Sequence, residues 1–173
     1  MVNLSSERRK EIDNVVSDVL LQIGYSPLEY DLVQLVESTG LTVLESDFIG
    51  RRSISAMLIY ADKNNSGNPT VYLNSFLSED RKRFTLAHEL GHYLLHDNTL
   101  SKFRLNIFDY CNNGESMSEE NEVNYFASAF LVPEESLVAL LRLIGTKTDL
   151  IANYFGVSSQ VIKNRLLWLN INK

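Results

Sequence analysis

The stretch FTLAHELGHYLLH, residues 84–96, contains all three histidines of the chain, His88, His92 and His96. Leu86, Ala87, Leu90, Leu94 and Leu95 surround them, so the segment reads as a buried core helix. On such a helix His88 and His92, four residues apart, point the same way, about 40° apart around the axis. Two imidazoles on one face can share a metal ion, and HExxH is the spacing that achieves it. Glu89 lies about 100° around from His88, beside the expected metal and placed to deprotonate a water there. Burying a His-Glu-His face in an apolar helix is costly unless something charged binds to it. His88 and His92 are therefore expected metal ligands, and Glu89 the general base. His96, just over two turns beyond His88, is too far along the axis for the same ion and is expected to be structural or supporting.

A catalytic zinc needs three protein ligands and an open position. The extended HExxHxxGxxH pattern is absent, because Leu95 stands at its glycine and Asn98 at its third histidine. With no further histidine, the third ligand must be a carboxylate or, less readily, Cys111. The stretch SEENEVNYFASAFLVP (118–133) offers Glu119, Glu120 and Glu122 at the start of the next helix. Glu120 and Asn124 share a face, which puts a carboxylate on the metal and an amide one turn on, in reach of a ligand histidine. Glu119, nearer the apolar side, is the alternative. Glu122 points about 160° away from Glu120 and is expected to face solvent, leaving it a weaker alternative.

The rest of the 173 residues frames that site. The chain is 45% hydrophobic and 22% charged, as in a water-soluble globular protein of one domain. A formal net charge of −6 argues against nucleic acid or anionic lipid as a partner for the molecule as a whole. No apolar run reaches membrane-spanning length, and MVNLSSERRK lacks the apolar core of a signal peptide. Cys111, the only cysteine, forms no internal disulfide, so a cytoplasmic location is expected. A nucleophilic role for it would need a histidine partner, and all three are committed elsewhere.

Ile12, Val15, Val16, Val19, Leu20 and Ile23 mark an amphipathic helix over 5–23, stopped by Gly24. A second helix over about 30–38 stops at Gly40, and LTVL (41–44) reads as a strand. SISAMLIY (53–60) and TVYLN (70–74) flank the turn-rich ADKNNSGNP, which predicts a hairpin. Ser78, Glu79 and Asp80 supply an N-cap and acidic first turn for the histidine helix. Residues 97–117 show no period and suggest a functional loop. From Ser118, Val123, Phe126, Ala127, Phe130 and Leu131 line one helix side, and Pro133 ends it. The fold class is α+β, with helices packed on a small β-sheet.

RKRFTLAHELGHYLLH (81–96) followed by ENEVNYFASAFLVP (120–133) resembles the ImmA/IrrE family of metallopeptidases. The family pattern is an RxRFTxAHExGHxxLH helix and, further on, an ExxAN-x-FA helix closing in a proline. Val123 departs from it, standing where the family usually has alanine. The resemblance implies a zincin-like fold with the HExxH helix central. It implies one Zn2+ per chain on His88, His92 and Glu120, with Glu89 as the base of a gluzincin-like peptidase. It also implies a protein substrate, a helix-turn-helix repressor of a phage, mobile element or stress regulon. On this reading residues 1–173 form one metallopeptidase domain, its catalytic core about 28–133 and a helical C-terminal part about 134–173. A transition-state helper would have to be a tyrosine, an arginine or backbone. An extended substrate could add as a strand to the hairpin edge.

One segment points elsewhere. In TDLIANYFGVSSQVIKNRLLWL (148–169), Ala152, Gly156, Val157, Ser158 and Val161 fall as in a helix-turn-helix, with Lys163, Asn164 and Arg165 on its second helix. Residues 146–173 hold Lys147, Lys163, Arg165 and Lys173 against Asp149, a local charge of +3. The competing reading is a DNA-binding transcription regulator with a structural or vestigial zinc site.

Overall fold

The computed structural model describes residues 4–22, 31–49, 53–60, 67–96 and 117–171. Predictions for Ile23, Gly24, Cys111 and the loop after the histidine helix fall outside these residues.

The first helix, α1 (Ser6–Gln22), buries Ile12, Val16 and Val19 on the face its periodicity predicts. Helix α2 (Leu32–Ser38) starts at Asp31, whose carboxylate accepts the backbone N–H groups of Val33 and Gln34. It stops before Gly40, whose φ of +98° suits a residue without a Cβ. Strands β1 (Thr42–Ser46), β2 (Ala56–Ile59) and β3 (Thr70–Asn74) form one sheet in the order β1-β3-β2. The hairpin partners β2 and β3 are antiparallel, as expected, and β1 lies parallel to β3. SISAMLIY is shorter as a strand than its composition suggests. The residues before β2 are held by the last residue of β3: Ser55 O accepts from Asn74 N–H, and Asn74 Nδ2 donates to Ile54 O at 2.7 Å.

Helix α3 (Glu79–Leu95) carries the three-histidine stretch, with His96 as its C-cap. Ser78 occupies the N-cap position with extended backbone, but its side chain makes no capping bond, contrary to the sequence reading. Glu79 and Asp80 provide the acidic first turn, which the helix dipole favours. Helix α4 (Met117–Leu131) places Val123, Phe126, Ala127, Phe130 and Leu131 at no more than 1% exposure. Pro133 ends this run and caps α5 (Glu134–Ile144). Helices α6 (Thr148–Phe155) and α7 (Ser159–Trp168) meet at Gly156, which is left-handed at φ +63°.

Helix α3 packs on α4, on α2 and on strands β2 and β3, and α4 packs in turn on α1 and α7. Helices α3 and α4 approach closely at Gly91. A Cβ there would stand 2.9 Å from Phe126 Cδ1 and 3.3 Å from Val123 Cβ. The glycine inside HELGH is thus what lets the two helices come this near. No helix among the described residues is long and apolar enough to cross a membrane.

Candidate metal centre

His88, Glu89 and His92 lie in the buried middle of α3, at 0%, 1% and 0% exposure. Neither ring can reach water, so their polar atoms must find partners within the protein. The Nε2 atoms of His88 and His92 face each other at 3.1 Å, as the i, i+4 spacing requires. Helix α4 delivers Glu120 to the same point. Its Oε2 is 3.5 Å from His88 Nε2 and its Oε1 is 3.4 Å from His92 Nε2. Donor atoms of these three residues lie within 4.8 Å of one another, positioned to hold a metal ion. Glu119 and Glu122 are not in that cluster, although all three carboxylates share the first turns of α4.

The surroundings organise the rings. Asn124 Oδ1 stands 3.2 Å from His88 Nδ1. A carbonyl oxygen only accepts, so His88 Nδ1 carries the proton and its Nε2 offers a bare lone pair to the cluster. His92 Nδ1 is 3.2 Å from His96 Nδ1, and His96 Nε2 is 3.4 Å from Glu122 Oε2. His96 therefore touches a cluster histidine from behind and does not join the cluster.

Glu122 corrects the sequence reading. Its side chain is only 14% exposed and pairs with Arg8 of α1 at 2.7 Å, so it faces a packed helix rather than solvent. An ideal wheel for α4 leaves Glu122 opposite Glu120, but α1 covers that side. Burial pushes the Glu122 carboxyl up, yet the Arg8 guanidinium outweighs it and holds the group below the usual carboxylate range, with His96 helping. The same contact raises Arg8 above its ordinary value. Nothing local in the sequence signals this pairing, which spans 114 positions.

Arg165 is the second correction. Counted in the competing reading among the basic residues on the second helix, it is 3% exposed, donates Nε–H to Val132 O at 3.1 Å and lies over the Tyr125 ring. Lys147 and Lys163 are exposed. The basic surface of the α6–α7 pair is thus smaller than the residue types suggest. Lys173 falls outside the described residues.

Comparison with known proteins agrees with this geometry. The family described as the IrrE N-terminal-like domain, a peptidase family, matches residues 37–167. Metallopeptidase ImmA of Bacillus subtilis (strain 168) is 33% identical over 99 residues, covering 56% of this chain and 54% of the relative. The chain thus aligns with about half the length of that curated relative. A Mycobacterium tuberculosis transcriptional regulator has a similar fold, at TM-score 0.63 and 17% identity, over 95% of this chain and 48% of its own. With more than half of its residues inside the family match, including the HELGH helix and the glutamate that faces it, this chain belongs to the ImmA/IrrE family.

Proposed function

We propose that this protein is a zinc-dependent peptidase of zincin-like architecture, with His88, His92 and Glu120 as ligands and Glu89 as general base. The observation that carries the reading is the spacing of the three donors. A tetrahedral zinc with ligand bonds of about 2.0–2.1 Å separates its donor atoms by about 3.3 Å. Here the two Nε2 atoms are 3.1 Å apart, and each stands 3.4–3.5 Å from one of the two Glu120 carboxylate oxygens, Oε2 facing His88 and Oε1 facing His92. Two imidazoles and one carboxylate are also a donor set that zinc accepts, leaving a fourth position open. Bound there, zinc supplies Lewis acidity, which acidifies water towards neutrality and polarises a carbonyl oxygen.

The chain's own residues do the rest. Glu89, next to His88 and buried, takes a proton from the attacking water and returns it to the departing amine. Asn124 keeps the His88 ring turned with its lone pair inward. On this reading the catalytic core is about 28–133 and the helical C-terminal part about 134–173, a division supported by the packing of α7 on α4. Family membership supports a protein substrate, and the resemblance narrows it to a helix-turn-helix repressor.

The competing DNA-binding reading keeps one supporting observation, the α6–Gly156–α7 pair itself. Burial of Arg165 removes one of its few cations, which favours the peptidase. Elemental analysis of purified protein tests the metal site. We expect about one zinc per wild-type chain and none in His92→Ala. Protein that stays folded but takes up no zinc after reconstitution would sink the peptidase reading. Cleavage of co-expressed repressors by wild type and not by Glu89→Gln tests the substrate class. A salt-sensitive shift of operator DNA at sub-micromolar protein would instead favour the regulator.

A further inference from the structure

Behind His92 runs an unbroken line of polar contacts that the hydrolytic scheme does not use. His92 Nδ1 meets His96 Nδ1 at 3.2 Å, His96 Nε2 meets Glu122 Oε2 at 3.4 Å, and Arg8 Nη2 meets the same oxygen at 2.7 Å. His92 is wholly buried, and the His96 and Glu122 side chains are 12% and 14% exposed. Water is thus a poor substitute for these three inner members of the line, while Arg8 at its outer end is partly exposed.

The direction of the hydrogen bonds follows from its outer end. Arg8 only donates, and Glu122 receives from it as a carboxylate. A carboxylate oxygen facing His96 Nε2 requires a proton on that nitrogen, since two lone pairs would otherwise meet. Neutral His96 then has a bare Nδ1, which accepts. Facing it among the described residues is His92 Nδ1, which then donates its proton, and a neutral His92 with its proton on Nδ1 has a bare Nε2. That bare nitrogen is the one pointing at His88 and Glu120.

We propose that Arg8, Glu122 and His96 are positioning residues that hold His92 in its Nδ1–H tautomer and so set the metal affinity of the site. This rests on the metal reading of His88, His92 and Glu120. It makes α1, which supplies none of the proposed ligands, part of the metal site through Arg8. The line is the counterpart of Asn124 behind His88, with the His96 imidazole interposed between His92 and the carboxylate. Without an acceptor at position 122, His96 is released to donate its own Nδ1–H to His92. The His92 proton then moves to Nε2, where an arriving cation must displace it.

The test uses the full chain in two measurements. Nitrogen NMR of the imidazoles in metal-free protein reads the tautomer, and competition with a chromophoric chelator reads zinc affinity. Wild type should show His92 protonated at Nδ1. Glu122→Met should shift that population towards Nε2–H and weaken zinc by about 10–100-fold. Glu122→Gln retains an acceptor oxygen and should restore most of both. Arg8→Met alters a partly exposed side chain, so it preserves the test if Glu122→Met fails to fold; it should weaken zinc severalfold. His92 protonated at Nε2 in wild type would overturn the proposal. So would wild-type zinc affinity in folded Glu122→Met. A wild-type protein that takes up no zinc overturns the metal reading and the affinity half with it, while the tautomer remains readable in the same sample.

Discussion

Glu89 is where binding and chemistry separate. It is buried beside His88 but does not belong to the three-donor cluster. Glu89→Gln should therefore keep fold and zinc content while hydrolysis of the cognate substrate falls by about 100–10,000-fold, the usual worth of a positioned base. Parallel measurement of zinc content and cleavage rate checks this; loss of both together would make Glu89 a metal ligand or a structural residue. Glu122 makes a prediction of a different kind. Its folded pKa lies below the ordinary 4.5, so its stabilising contribution is present above that value and is lost as pH falls through the lower folded value. The stability gap between wild type and Glu122→Gln, read from urea midpoints, should be full near neutrality and close in acid, as pH falls below the ordinary carboxylate range. A gap that widens in acid would contradict the Arg8 pairing.

The contact between α3 and α4 decides whether the metal ligands meet, and Gly91 sets its spacing. A methyl group at Gly91 meets the ring of Phe126 and the Cβ of Val123, both wholly buried. Overpacking of this kind costs about 1–3 kcal/mol, and alanine's helix propensity returns about 1 kcal/mol. Gly91→Ala should thus be destabilising by about 1 kcal/mol net, where a solvent-facing helical glycine would gain stability. By pushing α4 outward it should also move Glu120 from the histidines, so chelator competition should show weaker zinc binding. Unchanged affinity would mean that α4 adjusts by rotating Phe126. The second such contact is Arg165 of α7, which reaches back to the carbonyl of Val132. Arg165→Met leaves that buried carbonyl short of a partner, a loss of about 1–3 kcal/mol visible in thermal melts. A variant as stable as wild type but altered in DNA retention would revive the regulator reading.

Across the whole molecule, the proposed ligands come from two helices, α3 and α4, so a bound metal and the fold would stabilise each other. Zinc at about 100 times its Kd should raise unfolding free energy by about 2.7 kcal/mol, a rise in Tm of about 5–10 °C for a chain of this size. The same addition to His92→Ala should leave Tm unchanged. A wild-type Tm indifferent to zinc would argue that the ion binds the unfolded chain equally well.

The histidine helix, its HELGH face and the following acidic helix were legible in the residues, because i, i+4 spacing is a local property and one turn determines a face. The hairpin, the helix breaks at Gly40 and Pro133 and the choice of Glu120 over Glu119 follow from equally short-range patterns. What local pattern could not show was which of the remaining faces would be covered. Glu122 read as solvent-facing on an isolated wheel and Arg165 as part of a basic helix, and both lie against another helix, α1 in one case and α4 in the other. The parallel pairing of β1 with β3 is of the same kind, joining segments 28 positions apart. Periodicity states which side of an element is apolar, but a polar residue is buried only when a distant partner satisfies it, and that partner is chosen by packing.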